Sequence, residues 1–242
     1  MTVDDARAVL AGRTVLITGA GGSAGPVAAA AAARAGARLV LVDRHDDRLT
    51  AMREELPGHV VGTHVVDLTD PDAVSALAVA SGDVDAVWHL VGGWRGGQPL
   101  DQAPLTDWSD LYPPVVTSTV LLARAFAGGL AARSSGRFLI VSSPQAQHPT
   151  SSNAGYAAAK AAAEATVLAL ADHFTRAGSS ATANIVVVPA LVTSAMREAS
   201  PDKAWRTHVD VADLATTLVH LSSEAASRMN GQRVNLFDGS RT

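Results

Sequence analysis

The sequence predicts an α/β protein built on one doubly wound parallel sheet of about seven strands, with helices on both faces. Three observations predict it. Short, continuously apolar runs rich in Val, Ile and Leu recur along the chain, as strands buried on both faces do. Helix-like stretches separate them throughout, which implies parallel strands joined by right-handed crossovers. The length, 242 residues, suits one α/β domain with a large core. No linker, repeat or low-complexity segment interrupts the pattern, so residues 1–242 read as a single domain.

In order, strands are expected over 14–18, 38–42, 60–66, 86–91, 138–142, 183–188 and 233–237, and helices near 24–35, 46–56, 70–81, 107–133, 154–177 and 209–224. Two connections break the alternation. The first, 92–104, holds Gly92, Gly93, Gly96 and Gly97 around Trp94; the second, 194–208, is polar and irregular, with Met196, Pro201 and Trp205. Both follow carboxyl ends of strands, where open α/β sheets bind ligands. Long loops there serve function, and these two are expected to wall a substrate pocket.

Composition narrows the classes. Hydrophobic residues make up 48% and charged residues 17%, with a net charge of -4, a soluble balance without the basic footprint of a nucleic-acid binder. Aromatics reach 4%, so Ala, Val and Leu must build the core, with helices close on the sheet. The absence of cysteine excludes disulfides and thiolate metal sites and suits a reducing cytosol. The start, Met1-Thr2-Val3-Asp4-Asp5, is acidic with no signal-type apolar stretch behind it, and the longest apolar runs are broken by Arg34 or glycines short of a bilayer's width. A cytoplasmic protein with no membrane partner is expected. No histidine pair has metal-ligand spacing with a carboxylate, so no metal is expected. Trp88 and His89 read as core residues of a buried strand.

The first strand leads into Thr18-Gly19-Ala20-Gly21-Gly22-Ser23-Ala24-Gly25 and then an Ala-rich helix. Glycines there permit a sharp turn, the approach of a pyrophosphate and close helix–strand packing, and the helix start offers free amides to phosphates. Asp43 closes the second strand, where a carboxylate can accept ribose hydroxyls and repel a 2′-phosphate. This favours NAD(H) over NADP(H), although the adjacent Arg44 can accommodate a phosphate. Asp67, after the third strand, is suited to the adenine amino group, or else to opening a turn.

Tyr156 and Lys160 lie four residues apart in an alanine-rich segment and so share one helix face. A cation beside a phenol favours phenolate, which makes Tyr156 a candidate proton donor and acceptor.

Together these residues resemble the short-chain dehydrogenase/reductase family over nearly the whole chain, and the likeness includes Pro189 after the sixth strand and Gly231…Asp238-Gly239 near the end. The resemblance implies a Rossmann-type fold and a catalytic serine at Ser143, with Ser142 as the fallback. It assigns Leu68, Gly92, Pro189, Val192 and Ser194 to the cofactor beside Gly19, Gly22, Ser23, Ala24, Gly25, Asp43 and Asp67, and gives Tyr156 and Lys160 roles in both catalysis and cofactor binding. The implied reaction passes hydride between a nicotinamide and a carbonyl or hydroxyl compound while Tyr156 exchanges a proton. A homodimer or homotetramer is also implied.

The chain departs from the family pattern at Ser23, which leaves a GxxGxxG turn; at His89-Leu90-Val91-Gly92, where Asn-Asn-Ala-Gly is usual; and near Val115, where many members carry an asparagine. Those departures, with Gly92-Gly93-Trp94-Arg95-Gly96-Gly97 and Thr117-Ser118-Thr119, look like the dihydropteridine reductase branch, whose members reduce a pterin with NADH. A dinucleotide-binding sensor or structural subunit is the third reading.

Overall fold

The computed structural model describes residues 9–237; the acidic start and Asp238-Gly239 lie outside the described residues. The main sheet contains β1 (Thr14–Thr18), β2 (Arg38–Asp43), β3 (Val60–Val65), β4 (Ala86–His89), β5 (Arg137–Ser142), β6 (Thr182–Val187) and β9 (Arg233–Asn235). A separate pair is formed by β7 (Leu191–Val192) and β8 (Val209–Asp210). The seven strands run parallel in the order β3-β2-β1-β4-β5-β6-β9. The chain winds outward from β1 to β3 and returns to β4, so the order reverses between β1 and β4. That reversal opens a crevice at the carboxyl ends of these strands.

Helices α1 (Gly25–Arg34), α2 (Asp46–Glu55) and α8 (Val211–Ser222) cover one face; α3 (Pro71–Ala80), α5 (Ser118–Ala131) and α6 (Ala154–Arg176) cover the other. Strand residues alternate between the two cores, Leu16 facing one and Val15 and Ile17 the other. The scarcity of aromatics is met by small side chains: α1 buries Ala28, Ala29, Ala32 and Ala33 against the sheet.

The helix expected over 107–133 is not one helix. It divides into α4 (Leu105–Leu111), a π-helical turn at Tyr112–Thr117 and α5. Pro113 and Pro114 lack N–H groups and crowd the preceding turn, which interrupts i−4 bonding and widens the helix. The Ser118 and Thr119 hydroxyls donate to the carbonyls of Pro114 (2.7 Å) and Val115 (2.6 Å). Leu105–Ala131 contains an 18-residue window of mean hydropathy 1.4, long and apolar enough by length and composition alone to cross a membrane, where the sequence suggested no such run. In this fold its Leu122, Phe126 and Leu130 lie in the core beside α6 residues.

The irregular stretch expected over 194–208 begins as α7 (Ser194–Ala199), where the Thr193 hydroxyl caps the first turn by accepting from the Met196 N–H at 3.2 Å. Strand β4 ends at His89, two residues early, as the chain turns out of the sheet. The 92–104 loop has no regular structure and is tied to the turn before α6, its Gly97 and Leu100 N–H groups donating to the Ser152 carbonyl and Ser151 hydroxyl at 2.8 and 3.1 Å.

Candidate active site

A cleft of about 1140 Å³ opens at the β1/β4 reversal. Its floor is the turn after β1. Gly22 N–H donates to the Gly19 carbonyl at 3.0 Å and Gly25 N–H to the Gly22 carbonyl at 3.2 Å, so the three-residue glycine spacing makes two successive turns. Gly19 has φ +70, and a Cβ at Gly25 would stand 1.9 Å from the Ala20 carbonyl oxygen; neither position admits a side chain. Helix α1 starts without a side-chain cap, and the turn leading into it lines the cleft through Gly22, Ser23 and Ala24, the end of a helix that favours negative charge.

At one end of the cleft stands Asp43. Its Oδ2 accepts the Gly21 N–H at 2.9 Å, while Oδ1 accepts the N–H groups of Arg44 (2.8 Å) and His45 (3.2 Å) and meets the His45 ring nitrogen at 2.9 Å. Burial pushes this carboxyl up, but the His45 side chain and the three backbone donors outweigh it and hold the group below its ordinary value. Asp67 forms a turn with the Thr69 N–H and hydroxyl (2.9 and 2.7 Å), which keep its carboxyl low as well. It lines the cleft and opens a turn, as one of the two sequence expectations has it.

At the other end, Tyr156 and Lys160 rise from the first turns of α6, with Lys160 Nζ 6.0 Å from the Tyr156 ring centroid. Lys160 is buried and donates to the Val141 carbonyl at 2.8 Å. Ser143, just past β5, donates its hydroxyl to the Gln145 side-chain oxygen and favours ionisation of the Tyr156 phenol. The three candidate side chains therefore converge. One electrostatic expectation is overturned: burial raises the Tyr156 phenol above its ordinary value, and only the Ser143 hydrogen bond lowers it. The ammonium is turned to a backbone carbonyl instead, and its own burial pushes it down to about 8.

Of the other sequence candidates, Gly19, Gly22, Ser23, Ala24, Asp43, Asp67, Leu68, Gly92 and Pro189 line the cleft. Gly25 and Ser143 sit behind its wall, both buried. Val192 is fully buried within β7 and Ser194 is exposed at the start of α7; neither lines the cleft, whose wall there is Val188 to Leu191. The short β7 draws Val192 into its pairing with β8.

Residues 13–205 match the short chain dehydrogenase family. The chain belongs to the short-chain dehydrogenase/reductase family. It is an oxidoreductase of that family, whose members bind a nicotinamide dinucleotide and act on small molecules. Gluconate 5-dehydrogenase of Gluconobacter oxydans is 28% identical over 250 residues, covering 96% of each chain. A short-chain dehydrogenase from Shigella flexneri, solved with NADP, superposes with a TM-score of 0.82 at 23% identity, covering 95% of this chain and 98% of that one. An NAD+-bound xylitol dehydrogenase gives 0.80 at 18%, covering 94% and 98%.

The cleft of this dehydrogenase/reductase fits a dinucleotide: a glycine-rich turn of small residues at the start of α1 lies between a carboxylate end and a tyrosine–lysine end. Sequence reasoning missed Arg48, whose guanidinium donates to the Gly21 carbonyl at 3.2 Å, and His45 on Asp43. Arg48 lies in the first turn of α2, close behind Asp43 and Arg44, a nearness along the chain that could have flagged it. It also missed the setting of His89. This ring bridges Thr18 (2.7 Å) and Ser118 (3.0 Å), and burial, with the Lys160 charge nearby, pushes it down to about 3. His89 therefore stays neutral, a tie between β1, β4 and α5.

Proposed function

We propose that this oxidoreductase transfers hydride between NAD(H) and a small carbonyl or hydroxyl compound, with Tyr156 as the proton donor and acceptor. The observation that carries the reading is the presence of Tyr156 and Lys160 in the wall of the cleft that begins at the glycine turn, with Ser143 buried directly behind that wall. A bound nicotinamide supplies or takes up the hydride. Tyr156 gives a proton to the substrate oxygen in reduction and takes it back in oxidation. The Ser143 hydroxyl, just behind the cleft wall, orients that oxygen, and Lys160 holds the cofactor ribose.

NAD(H) is favoured because the Asp43 carboxylate stays ionised at the end of β2 and retains Oδ2 acceptor capacity for a ribose hydroxyl. Arg44 and Arg48 line that end with permanent positive charge, so NADPH is expected to bind more weakly than NADH, by about tenfold, rather than not at all. The Trp94 side of the cleft leaves the substrate open. Absence of cysteine supports a reducing, cytoplasmic setting, and a homodimer or homotetramer is the expected assembly.

The test is Tyr156→Phe. Turnover is expected to fall by about 10²–10⁴-fold with NADH binding within a few-fold of the parent; unchanged turnover would remove Tyr156 from the catalytic reading, whereas no turnover in the parent with NADH still bound would favour a dinucleotide-binding sensor. The pterin reading is favoured by one observation: Trp94 and Arg95 of the glycine-rich loop line the cleft. Reduction of a simple ketone without NADH oxidation by quinonoid dihydropterin would dispose of it.

A further inference from the structure

One helical turn beyond Lys160, α6 buries a second ionisable side chain, Glu164, which is 5% exposed. Arg233 of β9 grips it at two points, Nε donating to Oε2 at 2.8 Å and Nη2 to Oε1 at 3.1 Å. Oε1 also accepts the Ser142 hydroxyl at 2.5 Å. Lys160 meanwhile holds the carbonyl of Val141. Successive turns of α6 thus hold successive residues at the end of β5, immediately before Ser143. The remaining arm of Arg233 donates to Gln147 at 2.8 Å, in the same loop whose Gln145 accepts the Ser143 hydroxyl. Buried ion pairs are often no more stabilising than apolar packing, so fold stability is a poor account of why charge is placed here.

We propose that Glu164, gripped by Arg233, is a positioning residue for the reacting face: it fixes the strand end that presents Ser143 and gives Lys160 a negative neighbour that keeps its ammonium charged inside the protein. The proposal rests on the assignment of Lys160 to that face. The titratable groups around Lys160 are His89 from β4, which is neutral, and Tyr156 and Glu164 from its own helix, with Arg233 of β9 behind Glu164. Among them Glu164 favours the charged ammonium, against the burial that opposes it.

The chain has two lysines, Lys160 and Lys203, so protein labelled with 13C at the lysine ε-carbon gives an assignable NMR titration without substrate. Glu164→Gln is expected to lower the Lys160 midpoint by about half a unit or more and leave Lys203 unmoved, while Glu164→Asp restores part of the difference. Should the single variant fail to fold with Arg233 unpaired, the E164Q/R233M double variant is expected to show the same downward shift, reduced. The alkaline limb of the pH–rate profile should move in the same direction. A Lys160 midpoint within about 0.2 units of the parent in either folded variant overturns the proposal. Retained turnover in Tyr156→Phe would instead remove the catalytic reading and leave this titration intact, so the two failures are told apart.

Discussion

Lys160 is charged at a cost. Its amine is 7% exposed, and burial, offset in part by Glu164, brings it from 10.5 to about 8. A base whose folded pKa lies below its unfolded value penalises the fold wherever it is protonated. The penalty is therefore full below about pH 8 and disappears as pH climbs from about 8 toward 10.5. A shift of this size corresponds to about 3 kcal/mol; losing the donor to the Val141 carbonyl offsets about 1. Lys160→Met is thus expected to be about 2 kcal/mol more stable than the parent in urea unfolding at pH 7, with the margin shrinking to nothing or reversing near pH 10, while turnover is lost. A variant less stable at pH 7, with no pH trend, would contradict this. Such a residue, kept against stability, belongs to function.

At the scale of elements, the turn from β1 into α1 is the least tolerant. A methyl group at Gly25 would overlap the Ala20 carbonyl oxygen at 1.9 Å, backbone against backbone, with no flexible side chain to yield. Gly25→Ala is expected to lower stability by about 2 kcal/mol or more and to weaken NADH binding in fluorescence titration, because the turn cannot close. Unaltered NADH affinity would show that the turn is not part of the nucleotide site. This element was legible because its information is local: three glycines at fixed intervals after an apolar run. The helix of Tyr156 and Lys160 was legible for the same reason. The break at Tyr112–Thr117 was also written locally, in Pro113-Pro114, but the apolar run on either side outweighed it. α7 was hidden by its polar composition, since a six-residue helix leaves too short a period to read.

Over the whole molecule, what the sequence could not display were partners distant along the chain. Glu164 and Arg233 are separated by 69 positions, Trp88 and Ser222 by 134, and neither pairing leaves a local trace. Burial likewise decided the fate of Val192, which only the β7–β8 pairing removes from the cleft. Assembly is written at this scale too. Val120 on α5 and Leu168 on α6 are each 42% exposed, and alanines along α6 permit close approach of a second copy. Sedimentation equilibrium is expected to report a dimer or tetramer at micromolar concentration, and a monomer throughout would contradict that expectation. The account as a whole depends on one spatial relation, between the cleft floor and the α6 side chains. The most direct measurement is a crystal structure of the protein soaked with NADH. It should place the pyrophosphate over the Gly19–Gly25 turn and the nicotinamide C4 within about 4–5 Å of the Tyr156 hydroxyl; a dinucleotide bound elsewhere, or with its nicotinamide turned away from Tyr156 and Ser143, would contradict the account.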